Sequence, residues 1–319
     1  MRQLAPLDPS IAVSVVIVSW NTVDVLRGCL ASIRDETRSC HQVVVVDNAS
    51  TDGTQEMVAS EFPEVELVCN TDNRGFAAAN NQGIERSVGA HVLLLNPDTV
   101  ILGGAIDRCL EWLARHPEVG CMGCQVFEDE ATVQRTCFSD MTPFNMMLVE
   151  FKLLEALPSI FGKAEYRMWD RMTEREVDVV SGMFMLVPRA VVEKVGMLDE
   201  AFFVFAEEAD WCRRIRAAGW RCYFSPVAKI LHLDGGSKST AQIRPRMHVQ
   251  LQKSKLIYMN KYYGKLGEFV ARLTMIASMT ARYLLFLPIG AVTKKDDHVA
   301  HAALSRASLR FLTGGGEPK

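Results

Sequence analysis

Residues 91–99 read HVLLLNPDT, and this stretch decides the fold. Residues 92–95 are a continuous apolar run, which is typical of a strand buried on both faces of a mostly parallel sheet. Pro97 ends the strand because it cannot donate a hydrogen bond to a neighbouring strand, so Asp98 projects just beyond the carboxyl end. Ligands bind at that edge of open α/β sheets, and a carboxylate there can bind a hard divalent cation. The alternative is that Asp98 caps the next helix or closes an Asx-turn.

Three further strands are predicted upstream, and a segment with helical spacing of apolar residues follows each strand. The strands are rich in β-branched residues, whereas the segments after them repeat apolar residues every three or four positions. The predicted strands are residues 11–19, 43–46, 65–69 and 92–95, and the predicted helices cover 23–33, a segment through Met57 and Val58, 76–87 and 104–115. Four repeats within about 115 residues predict a doubly wound α/β domain with right-handed crossovers.

Polar residues follow three of these strands at the point where each strand ends. Asp47 ends the second strand, residues 73–75 (NRG) follow the third, and Asp98 follows the fourth. Because parallel strands end at the same edge of a sheet, we expect these residues to converge on one site. No GxGxxG follows the first strand and no GxxxxGK[ST] occurs, so neither the dinucleotide fingerprint nor the P-loop is supported.

The middle of the chain combines further strands with a Met-rich insertion. Residues 119–127, 132–138 and 177–187 are apolar enough to be predicted as strands. Residues 139–175 are also apolar, but two prolines and a glycine break any long element there. We interpret this insertion as a mobile flap of helical pieces over the site, in contact with the acceptor. Packing within the core is the alternative.

Three acids open a predicted helix directly after the apolar run FFVF. Glu207, Glu208 and Asp210 begin a helix that ends at Gly219, a favourable residue after a helix C-terminus. The helix dipole favours acids in a first turn, which explains part of the cluster without any function. The neighbouring phenylalanines are expected to raise a carboxyl pKa, which is the condition for a general base near neutral pH. The cluster therefore contains a candidate base.

A single histidine closes a later predicted strand. Residues 221–225 and 228–232 are predicted as strands, and His232 ends the second one before the Gly-rich sequence LDGGS. A lone histidine is more often structural than a ligand. Its place after a strand matches that of Asp98, and imidazole can bind Mn²⁺ or Mg²⁺ beside carboxylate and phosphate oxygens. Asp98 and His232 are thus candidate ligands of one cation.

Length and composition indicate an ordinary folded protein whose charge is unevenly spread. The 319 residues are 49% hydrophobic and carry a net charge of −3. Residues 238–319 contain 14 Lys and Arg against 4 Asp and Glu, a balance of +10, so residues 1–237 carry −13. A basic and partly apolar tail predicts contact with an anionic surface such as lipid or nucleic acid. The tail lacks aromatic residues interleaved at a recognised spacing, which argues against nucleic acid.

The nine cysteines are scattered rather than closely spaced, so we expect reduced thiols in a cytosolic protein. Cys121 and Cys124 form a CxxC, but no second pair of ligands follows at zinc spacing. Two small apolar residues of a strand are therefore favoured over a zinc site. The N-terminal sequence MRQLAPLDPS has no apolar signal core, and no export is predicted.

Residues 267–292 are apolar but are interrupted by Arg272, Arg282 and Pro288. A spanning helix needs roughly 20 apolar residues, and a central Arg costs about 2.5–3.5 kcal/mol on insertion scales. We therefore favour an amphipathic helix lying in the membrane interface, where basic residues add attraction to anionic lipid. These basic residues are Lys294, Lys295, Arg306 and Arg310. Packing on the rest of the chain or a dimer contact is the alternative.

Five motifs in chain order resemble family 2 glycosyltransferases, and in particular the rhamnosyltransferase-like branch that builds bacterial cell-surface polysaccharides. The motifs are SVVIVSWN (14–21), VVVVDNASTDGT (43–54), NRGFAAANNQGI (73–84), LLLNPDT (93–99) and the block 180–237, which contains EEADWCRRIRAAGW and HLDGGS. Together they span about 225 residues, whereas the chain after residue 253 resembles the family only loosely.

The resemblance implies a GT-A fold, which is a Rossmann-like, mostly parallel sheet with helices on both faces, here followed by a helical C-terminal tail. It also implies a nucleotide-sugar donor, a divalent cation (Mg²⁺ or Mn²⁺) and inversion at the anomeric carbon. By the same resemblance the donor is dTDP-rhamnose or, next, a UDP-sugar, and the acceptor is a glycan or lipid-linked glycan of the cell envelope. The alternative from another class is a non-catalytic nucleotide-sugar or polysaccharide binding protein on the same fold.

The resemblance also implies roles for individual residues. Residues around the nucleotide are Trp20, Asn21, Asp47, Arg74 and Asn96, the metal ligands are Asp98 and His232, and the base is Glu208, with Glu207 and Asp210 as the other candidate acids. The metal motif reads Asn96-Pro97-Asp98 here, so one carboxylate of the usual DxD is absent and Asn96 offers a neutral contact.

The expected organisation is a catalytic domain at residues 1–252, with the flap at 139–175, followed by a helical tail at 253–319 that is basic and apolar. We expect a cytoplasmic protein bound peripherally to the inner face of the plasma membrane through this tail. A homodimer is a further expectation, and nucleic acid is not expected as a partner.

Overall fold

The computed structural model describes residues 3–129, 131–161, 166–233, 244–293 and 296–315. The chain forms two compact units. The first unit contains Met1–Asp140, Trp169–Phe203 and Glu207–Ser239, and the second contains Met141–Met168, Val204–Ala206 and Thr240–Lys319. The Gly-rich residues 234–237 and the predicted lipid-facing residues Lys294 and Lys295 lie outside the described residues.

Strands and helices alternate through the first half of the chain, as predicted. The strands are β1 (Val13–Ser19), β2 (His41–Asp47), β3 (Glu66–Cys69), β4 (His91–Leu95), β5 (Thr99–Leu102), β6 (Val119–Phe127), β7 (Cys137–Phe138), β8 (Arg175–Glu176), β9 (Val179–Val180), β10 (Phe184–Pro188) and β11 (Arg221–His232). The helices are α1 (Val23–Glu36), α2 (Thr54–Glu61), α3 (Phe76–Arg86), α4 (Ala105–Ala114), α5 (Pro143–Glu150), α6 (Leu153–Ala156), α7 (Pro158–Phe161), α8 (Arg189–Val195), α9 (Glu207–Ala217), α10 (Arg244–Thr293) and α11 (Asp296–Leu312).

One mixed sheet organises the first unit. Its strand order is β3-β2-β1-β4-β10-β6-β11-β5, and β8 pairs with β11 beside this path. The pairs β1–β2, β1–β4, β2–β3 and β6–β11 are parallel. β10 is antiparallel to β4 and β6, and β5 is antiparallel to β11. The predicted mostly parallel α/β sheet is therefore confirmed.

Helices cover both faces of the sheet because successive side chains of a strand point to opposite faces. Val45 of β2 lies in the large core with residues of α1, α2 and α4, whereas its neighbour Val44 packs with α3. The same alternation occurs in β6, where Met122 lies in the large core and Cys121 faces Cys212 of α9. The face of the sheet covered by α3 therefore also carries α9.

The structure differs from the predicted secondary structure in three places. Residues 132–138 form the two-residue strand β7 and an isolated bridge at Val133 instead of one long strand. No strand is predicted at 99–102, yet β5 forms there because β11 supplies its hydrogen-bond partner. The strands predicted at 221–225 and 228–232 are a single strand, whose pairing with β6 shifts register between Phe224 and Lys229 around Pro226.

The second unit is helical and combines part of the predicted flap with the C-terminal tail. Its α10 is interrupted at Gly264, where φ is 64°. Glu150 at the end of α5 is buried, and its Oε1 lies 2.6 Å from Lys255 Nζ before the interruption. Its carbonyl accepts hydrogen bonds from Ser278 and Arg282 after the interruption, so α5 is bonded to both parts of α10. The Met-rich core of the unit contains Met146, Leu256, Met259, Ala271, Met275, Met279 and Leu312.

One face of α10 is apolar and exposed to solvent. Leu266, Val270, Leu273 and Leu284 recur at helical spacing on this face, and they are 74%, 40%, 49% and 66% exposed. Among the described helices, only this one is long and apolar enough to cross a membrane, over Pro245–Ile289, by length and composition alone. Length and composition do not distinguish a spanning helix from the interfacial helix predicted from the sequence.

Candidate active site

A strand pair brings Asp98 and His232 together at the carboxyl edge of the sheet. β11 runs antiparallel to β5, and His232 pairs with Thr99. The backbone N–H of Leu233 donates to the carbonyl of Asp98 at 2.9 Å, so the ladder fixes both residues. His232 Nε2 lies 3.1 Å from Asp98 Oδ1, and both side chains are less than 10% exposed. Two residues far apart in the sequence therefore meet in one buried site.

Asn96 lies beside this pair, at the end of β4. Its Nδ2 lies 3.4 Å from His232 Nε2, and rotation of the amide by half a turn places Oδ1 at the same point. The Asn96 backbone N–H donates to the carbonyl of Met183 at 3.1 Å, and its carbonyl accepts from Thr99 Oγ1 at 2.8 Å. These hydrogen bonds of Asn96 fix the loop after β4, in which Pro97 has no backbone N–H to donate.

The Asp98 and His232 side chains fit a divalent cation. Two ligand atoms at right angles, each about 2.1 Å from an ion, are about 3.0 Å apart, and the observed separation is 3.1 Å. A carboxylate oxygen, an imidazole nitrogen and an amide oxygen form a donor set suited to Mg²⁺ or Mn²⁺. Mg²⁺ is commonly bound by one or two carboxylates together with substrate phosphates, so two protein ligands suffice when a diphosphate supplies the others.

Asp47 ends β2 with one carboxylate oxygen available for a ligand. Its side chain is fully buried, and Oδ2 accepts from Ser50 N at 3.0 Å and Gln55 Nε2 at 2.7 Å. Oδ1 has no hydrogen-bond partner among the described residues. Leaving a buried acceptor unpaired costs free energy, so a donor group on a ligand would stabilise this site.

The remaining predicted nucleotide contacts lie in loops at the same edge. Asn21, two residues after β1, adopts φ of 54°, and its Oδ1 accepts from Thr51 N at 2.8 Å. This bond joins the loops after β1 and β2. Trp20 is half-buried next to it. Arg74 is exposed, with its Nε 3.8 Å from Asp72 Oδ1.

A buried amide network supports the loop that carries Arg74. Asn48 Nδ2 donates to the carbonyl of Gly75 at 3.2 Å, and Asn70 Nδ2 donates to Asn48 Oδ1 at 2.9 Å. Asn70 and Gln82 also exchange side-chain hydrogen bonds. Sequence reasoning missed Asn48 and Asn70 as site residues. Their only signal was their position at the ends of β2 and β3, where they read as turn residues.

Gly75 connects this loop to the segment before the acids. Its φ is 82°, and a Cβ added there would lie 2.4 Å from the carbonyl oxygen of Phe203. Only glycine fits such an approach. The backbone N–H of Phe76 donates to the same carbonyl at 2.6 Å. The Arg74 loop and the chain leading to Glu207 are therefore fixed against each other.

Glu207, which is buried, and Glu208, which is half-buried, begin α9 as neighbouring carboxyl groups. The Oε2 atom of each is buried and has no hydrogen-bond partner among the described residues. Burial raises the pKa of Glu208 to about 7. Burial, and then the charge of Glu208, raise the pKa of Glu207 well above its ordinary value. A carboxyl group that titrates near 7 can accept a proton at neutral pH.

The backbone directly before these acids is strained. Phe205 and Ala206 have φ of 71° and 69°, a left-handed region that non-glycine residues seldom occupy. Such strain persists only where surrounding contacts enforce it, and it is concentrated at functional sites. This turn comes directly before Glu207 and Glu208 and therefore affects the direction in which their side chains point.

Asp210, the third predicted acid, is engaged in an ion pair. It is fully buried, and its Oδ2 accepts from Arg214 Nε at 2.8 Å. Arg214 in turn donates to the carbonyl of Val195, the last residue of α8, and to that of Met197 just after the helix. The pair therefore attaches α9 to the neighbouring helix, and its geometry resembles a structural anchor more than a base.

α9 is also attached to the segment that holds the Asn96 loop. Cys212 lies one turn after Glu208, and its Sγ accepts from Val180 N of β9 at 3.5 Å. Met183, three residues further along that segment, accepts the hydrogen bond from Asn96. The first turn of α9 is thus linked through β9 to the loop that carries Asp98.

A family model described as glycosyltransferase-like family 2 matches residues 9–248. The chain belongs to this family. The glycosyltransferase is 29% identical over 231 residues to the N-acetylglucosaminyl-diphospho-decaprenol L-rhamnosyltransferase of Mycobacterium tuberculosis, and the match covers 68% of this chain and 75% of that one. It is 28% identical over 232 residues to the O-antigen biosynthesis protein RfbC of Myxococcus xanthus, which covers 71% of this chain and 18% of that protein.

Among solved structures, the mannosyltransferase PcManGT from Pyrobaculum calidifontis, in complex with GDP-Man and Mn²⁺, is similar with a TM-score of 0.53. The two sequences are 21% identical, and the match covers 98% of this chain and 88% of that chain. The predicted GT-A fold, the family and the assignment as a sugar-transferring enzyme are therefore confirmed.

Proposed function

We propose that the glycosyltransferase moves a sugar from a nucleoside-diphosphate donor to an acceptor hydroxyl, with inversion at the anomeric carbon. The observation that carries the proposal is the buried Asp98–His232 pair at the carboxyl edge of the sheet. Glu208, whose pKa burial raises to about 7, begins the helix linked to the same loop. These residues supply a cation site and a base, which are the two functions such a transfer needs.

The donor nucleotide is proposed to bind between the loops after β1, β2 and β3. The unpaired Oδ1 of Asp47 would accept a hydrogen bond from the nucleoside. Trp20 offers a half-buried aromatic surface, and Asn21 offers its amide group beside it. Arg74 is exposed and can approach the diphosphate, with its loop held by Asn48. Charge-assisted hydrogen bonds from a guanidinium to phosphate are strong.

Asp98 and His232 would hold Mg²⁺ or Mn²⁺, with Asn96 as a neutral neighbour. A cation bound there supplies Lewis-acid stabilisation of the charge that develops on the leaving diphosphate. The β5–β11 ladder orients the two ligands before the donor arrives. Their burial excludes water, which strengthens every electrostatic interaction in the site.

Glu208 is the proposed base. Its carboxylate takes the proton of the acceptor hydroxyl while that oxygen forms a bond to the anomeric carbon. The bond from the anomeric carbon to the diphosphate oxygen breaks, and its electron pair leaves with the nucleoside diphosphate. A single displacement on the opposite face inverts the configuration. Glu207, with its raised pKa, stays protonated and donates a hydrogen bond that favours the charged form of Glu208, and Asp210 positions the helix through Arg214.

Rhamnose is the favoured sugar, and dTDP-rhamnose the favoured donor, with a UDP-sugar as the second choice. The similarity to a rhamnosyltransferase named for an N-acetylglucosaminyl-diphospho-decaprenol acceptor supports this choice. It also supports a lipid-linked glycan as acceptor. The similarity to an O-antigen biosynthesis protein supports a role in cell-envelope polysaccharide synthesis.

Transfer assays with a panel of donors test the proposed function. We expect product from dTDP-rhamnose, N-acetylglucosaminyl-diphospho-prenol and Mn²⁺ or Mg²⁺, and no product after chelation with EDTA. Nuclear magnetic resonance of the product should report the inverted anomer. Undiminished turnover in EDTA would remove the cation from the proposal. Nucleotide-sugar binding in thermal-shift assays without hydrolysis or transfer from any donor would instead favour a non-catalytic binding protein.

The exposed stripe on α10 is the proposed membrane contact. Leu266, Val270, Leu273 and Leu284 give it an apolar surface. Arg306 and Arg310 are exposed on α11 of the same unit and add positive charge. An apolar stripe with basic neighbours favours the surface of an anionic bilayer. We therefore place the enzyme in the cytoplasm, peripherally on the inner face of the plasma membrane, where a lipid-linked acceptor is accessible.

Vesicle co-sedimentation tests this contact with the full-length chain. The wild type should bind vesicles of phosphatidylglycerol and phosphatidylcholine, and the double variant L273E/L284E should bind at least about 100-fold more weakly, because each buried leucine contributes about 1.5–3 kcal/mol. The matched control L7E/L102E changes two exposed leucines of the first unit and should bind as the wild type does. Equal binding of L273E/L284E and wild type would contradict the lipid contact. A dimer lost only in L273E/L284E would assign the stripe to a second copy of the chain.

A further inference from the structure

Arg171 is a buried cation whose hydrogen bonds are mostly unmade. It is 3% exposed, and one guanidinium nitrogen, Nη1, donates to the carbonyl of Trp169 at 2.8 Å. Its Nε and Nη2 are buried, and no described residue accepts a hydrogen bond from them. A buried guanidinium with two nitrogens that lack an acceptor is costly, because the charge has lost its water and only one nitrogen has gained a hydrogen bond. The side chain is therefore available to an acceptor other than the described residues.

The surroundings of Arg171 are cationic rather than acidic. Burial, first, lowers the pKa of its guanidinium, and the charges of Arg135 and Arg175 lower it further. The thiol of Cys137 is the one neighbouring group that acts in the opposite direction, and no described carboxylate contributes. Three arginines close enough to act on one another's charge attract an anion. Thr136, between Arg135 and Cys137 in the sequence, is also buried.

The position of Arg171 is fixed by its backbone and by an aromatic ring. Its φ is 62°, in the left-handed region. Its carbonyl accepts a hydrogen bond from Gln125 Nε2 at 2.9 Å. The Trp169 ring lies 5.3 Å from the Arg171 guanidinium carbon and 5.2 Å from that of Arg175. A strained backbone and a fixed side chain are typical of a preorganised binding site.

Arg171 lies on the face of the sheet that carries the proposed base. Gln125 and Cys121 alternate on the same side of β6, and Cys121 contacts Cys212 of α9. Glu208 begins that helix one turn before Cys212. An anionic group at Arg171 and a hydroxyl group at Glu208 can therefore belong to one acceptor molecule on this face.

We propose that Arg171, assisted by Arg135 and Arg175, binds a phosphate or diphosphate group of the acceptor, separately from the donor diphosphate at Asp98. The anion site itself rests only on the described arginines. Its assignment to the acceptor rests on the proposed function. Bidentate hydrogen bonds from the free Nε and Nη2 match the geometry of phosphate oxygens.

Thermal-shift measurements with inorganic pyrophosphate test the anion site without any sugar. EDTA is present throughout, so that the cation site cannot contribute, and NaCl at matched ionic strength is the control for salt. We expect pyrophosphate to raise the Tm of the wild type and of Asp98→Ala, but not that of Arg171→Met. Without the anion, Arg171→Met should melt at or above the wild-type temperature because the unpaired charge is gone.

Two results would overturn the anion site. One is an equal pyrophosphate shift in Arg171→Met and wild type. The other is the absence of any shift in the wild type together with a Tm several degrees lower in Arg171→Met, as expected of a purely structural arginine. Arg171→Lys keeps the charge but loses the planar fork, and it should retain only part of the shift. These outcomes do not depend on whether the enzyme transfers any sugar.

Kinetics with two acceptors identify the source of the anion. In Arg171→Met, KM for a glycan linked through diphosphate to a lipid should rise about 10- to 100-fold, the expected loss for hydrogen bonds to a charged group. KM for the same glycan as a neutral alkyl glycoside should stay unchanged. An equal change for both acceptors would overturn the assignment to the acceptor and leave free phosphate as the anion that binds.

Discussion

Replacing Glu208 by Gln is expected to lower kcat by about 10²- to 10⁴-fold, the usual contribution of a general base. Glutamine keeps the size of the side chain and cannot take the acceptor proton. The Oε2 atom of Glu208 is buried and has no hydrogen-bond partner among the described residues, so the amide fits without breaking a described hydrogen bond to that oxygen. Folding should therefore persist, which circular dichroism and the Tm can check.

The pH dependence of the same variant follows from the raised pKa. Burial raises the pKa of Glu208 from its ordinary value of 4.5 to about 7. The folded protein therefore binds this proton more tightly than the unfolded chain. The contribution to stability is complete below pH 4.5 and is lost as the pH rises through about 7. Between pH 5 and pH 8 the Tm of Glu208→Gln should fall less than that of the wild type, while wild-type kcat/KM rises with an apparent pKa near 7.

Glu56→Gln is the matched control for this experiment. Glu56 also lies in the first turn of a helix, α2, but it is exposed. Its variant should keep wild-type turnover and the wild-type pH profile. Near-wild-type kcat in Glu208→Gln would remove Glu208 from the role of base, and loss of activity in Glu207→Gln alone would transfer that role to Glu207.

Replacing Asp98 by Ala is expected to lower kcat by about 10³-fold, because Lewis-acid stabilisation by a bound cation is worth several kcal/mol. The substitution removes the carboxylate that lies 3.1 Å from His232 Nε2. The backbone contacts of the loop remain, since Leu233 donates to the carbonyl of residue 98 rather than to its side chain. Titration of Mn²⁺, followed by electron paramagnetic resonance in the presence of a nucleoside diphosphate, should show an affinity loss of tenfold or more.

Asp35→Ala is the matched control for Asp98→Ala, and His232→Gln tests the second proposed metal ligand. Asp35 is an exposed acid of α1, and its removal should change neither Mn²⁺ affinity nor turnover. His232→Gln should weaken Mn²⁺ binding in the same direction as Asp98→Ala, because both side chains are proposed to hold one ion. Unchanged Mn²⁺ binding in both site variants would place the cation elsewhere.

The first four strands of the central sheet could be predicted because the local sequence of each is typical of a buried strand. β1, β2, β3 and β4 are apolar runs that end at turn residues or at Pro97, and the four strand-helix repeats lie within two residues of most predicted boundaries. β5 was missed because its stability comes from a partner strand that lies far away in sequence. The predicted strand over 132–138 was wrong because an apolar run does not show whether a neighbouring strand is present to pair with it.

Some residues of the candidate site could likewise be identified from the sequence, whereas others could not. Positions that directly follow strands, such as Asp47 and Asp98, could be named from the sequence because topology alone brings strand ends together. The sequence could not predict that Asp47 Oδ1 is unpaired or that Asp210 forms an ion pair with Arg214, since both depend on side-chain geometry. Arg171 lies within the insertion predicted to contact the acceptor, but nothing in the sequence singled it out from its neighbours. Its importance comes from the absence of a described acceptor, which no sequence pattern records.

The order of strands has a consequence for synthesis on the ribosome. β4 and β5 are adjacent in the chain, yet β10, β6 and β11 lie between them in the sheet. Once β1 to β4 have emerged they can pair with one another, whereas β5 has no partner until β11 is made, about 130 residues later. At synthesis rates of about 5–20 residues per second, that delay lasts roughly 6–26 seconds. During this delay the apolar segment TVIL has no partner strand. We therefore expect a chaperone that acts on nascent chains to bind it.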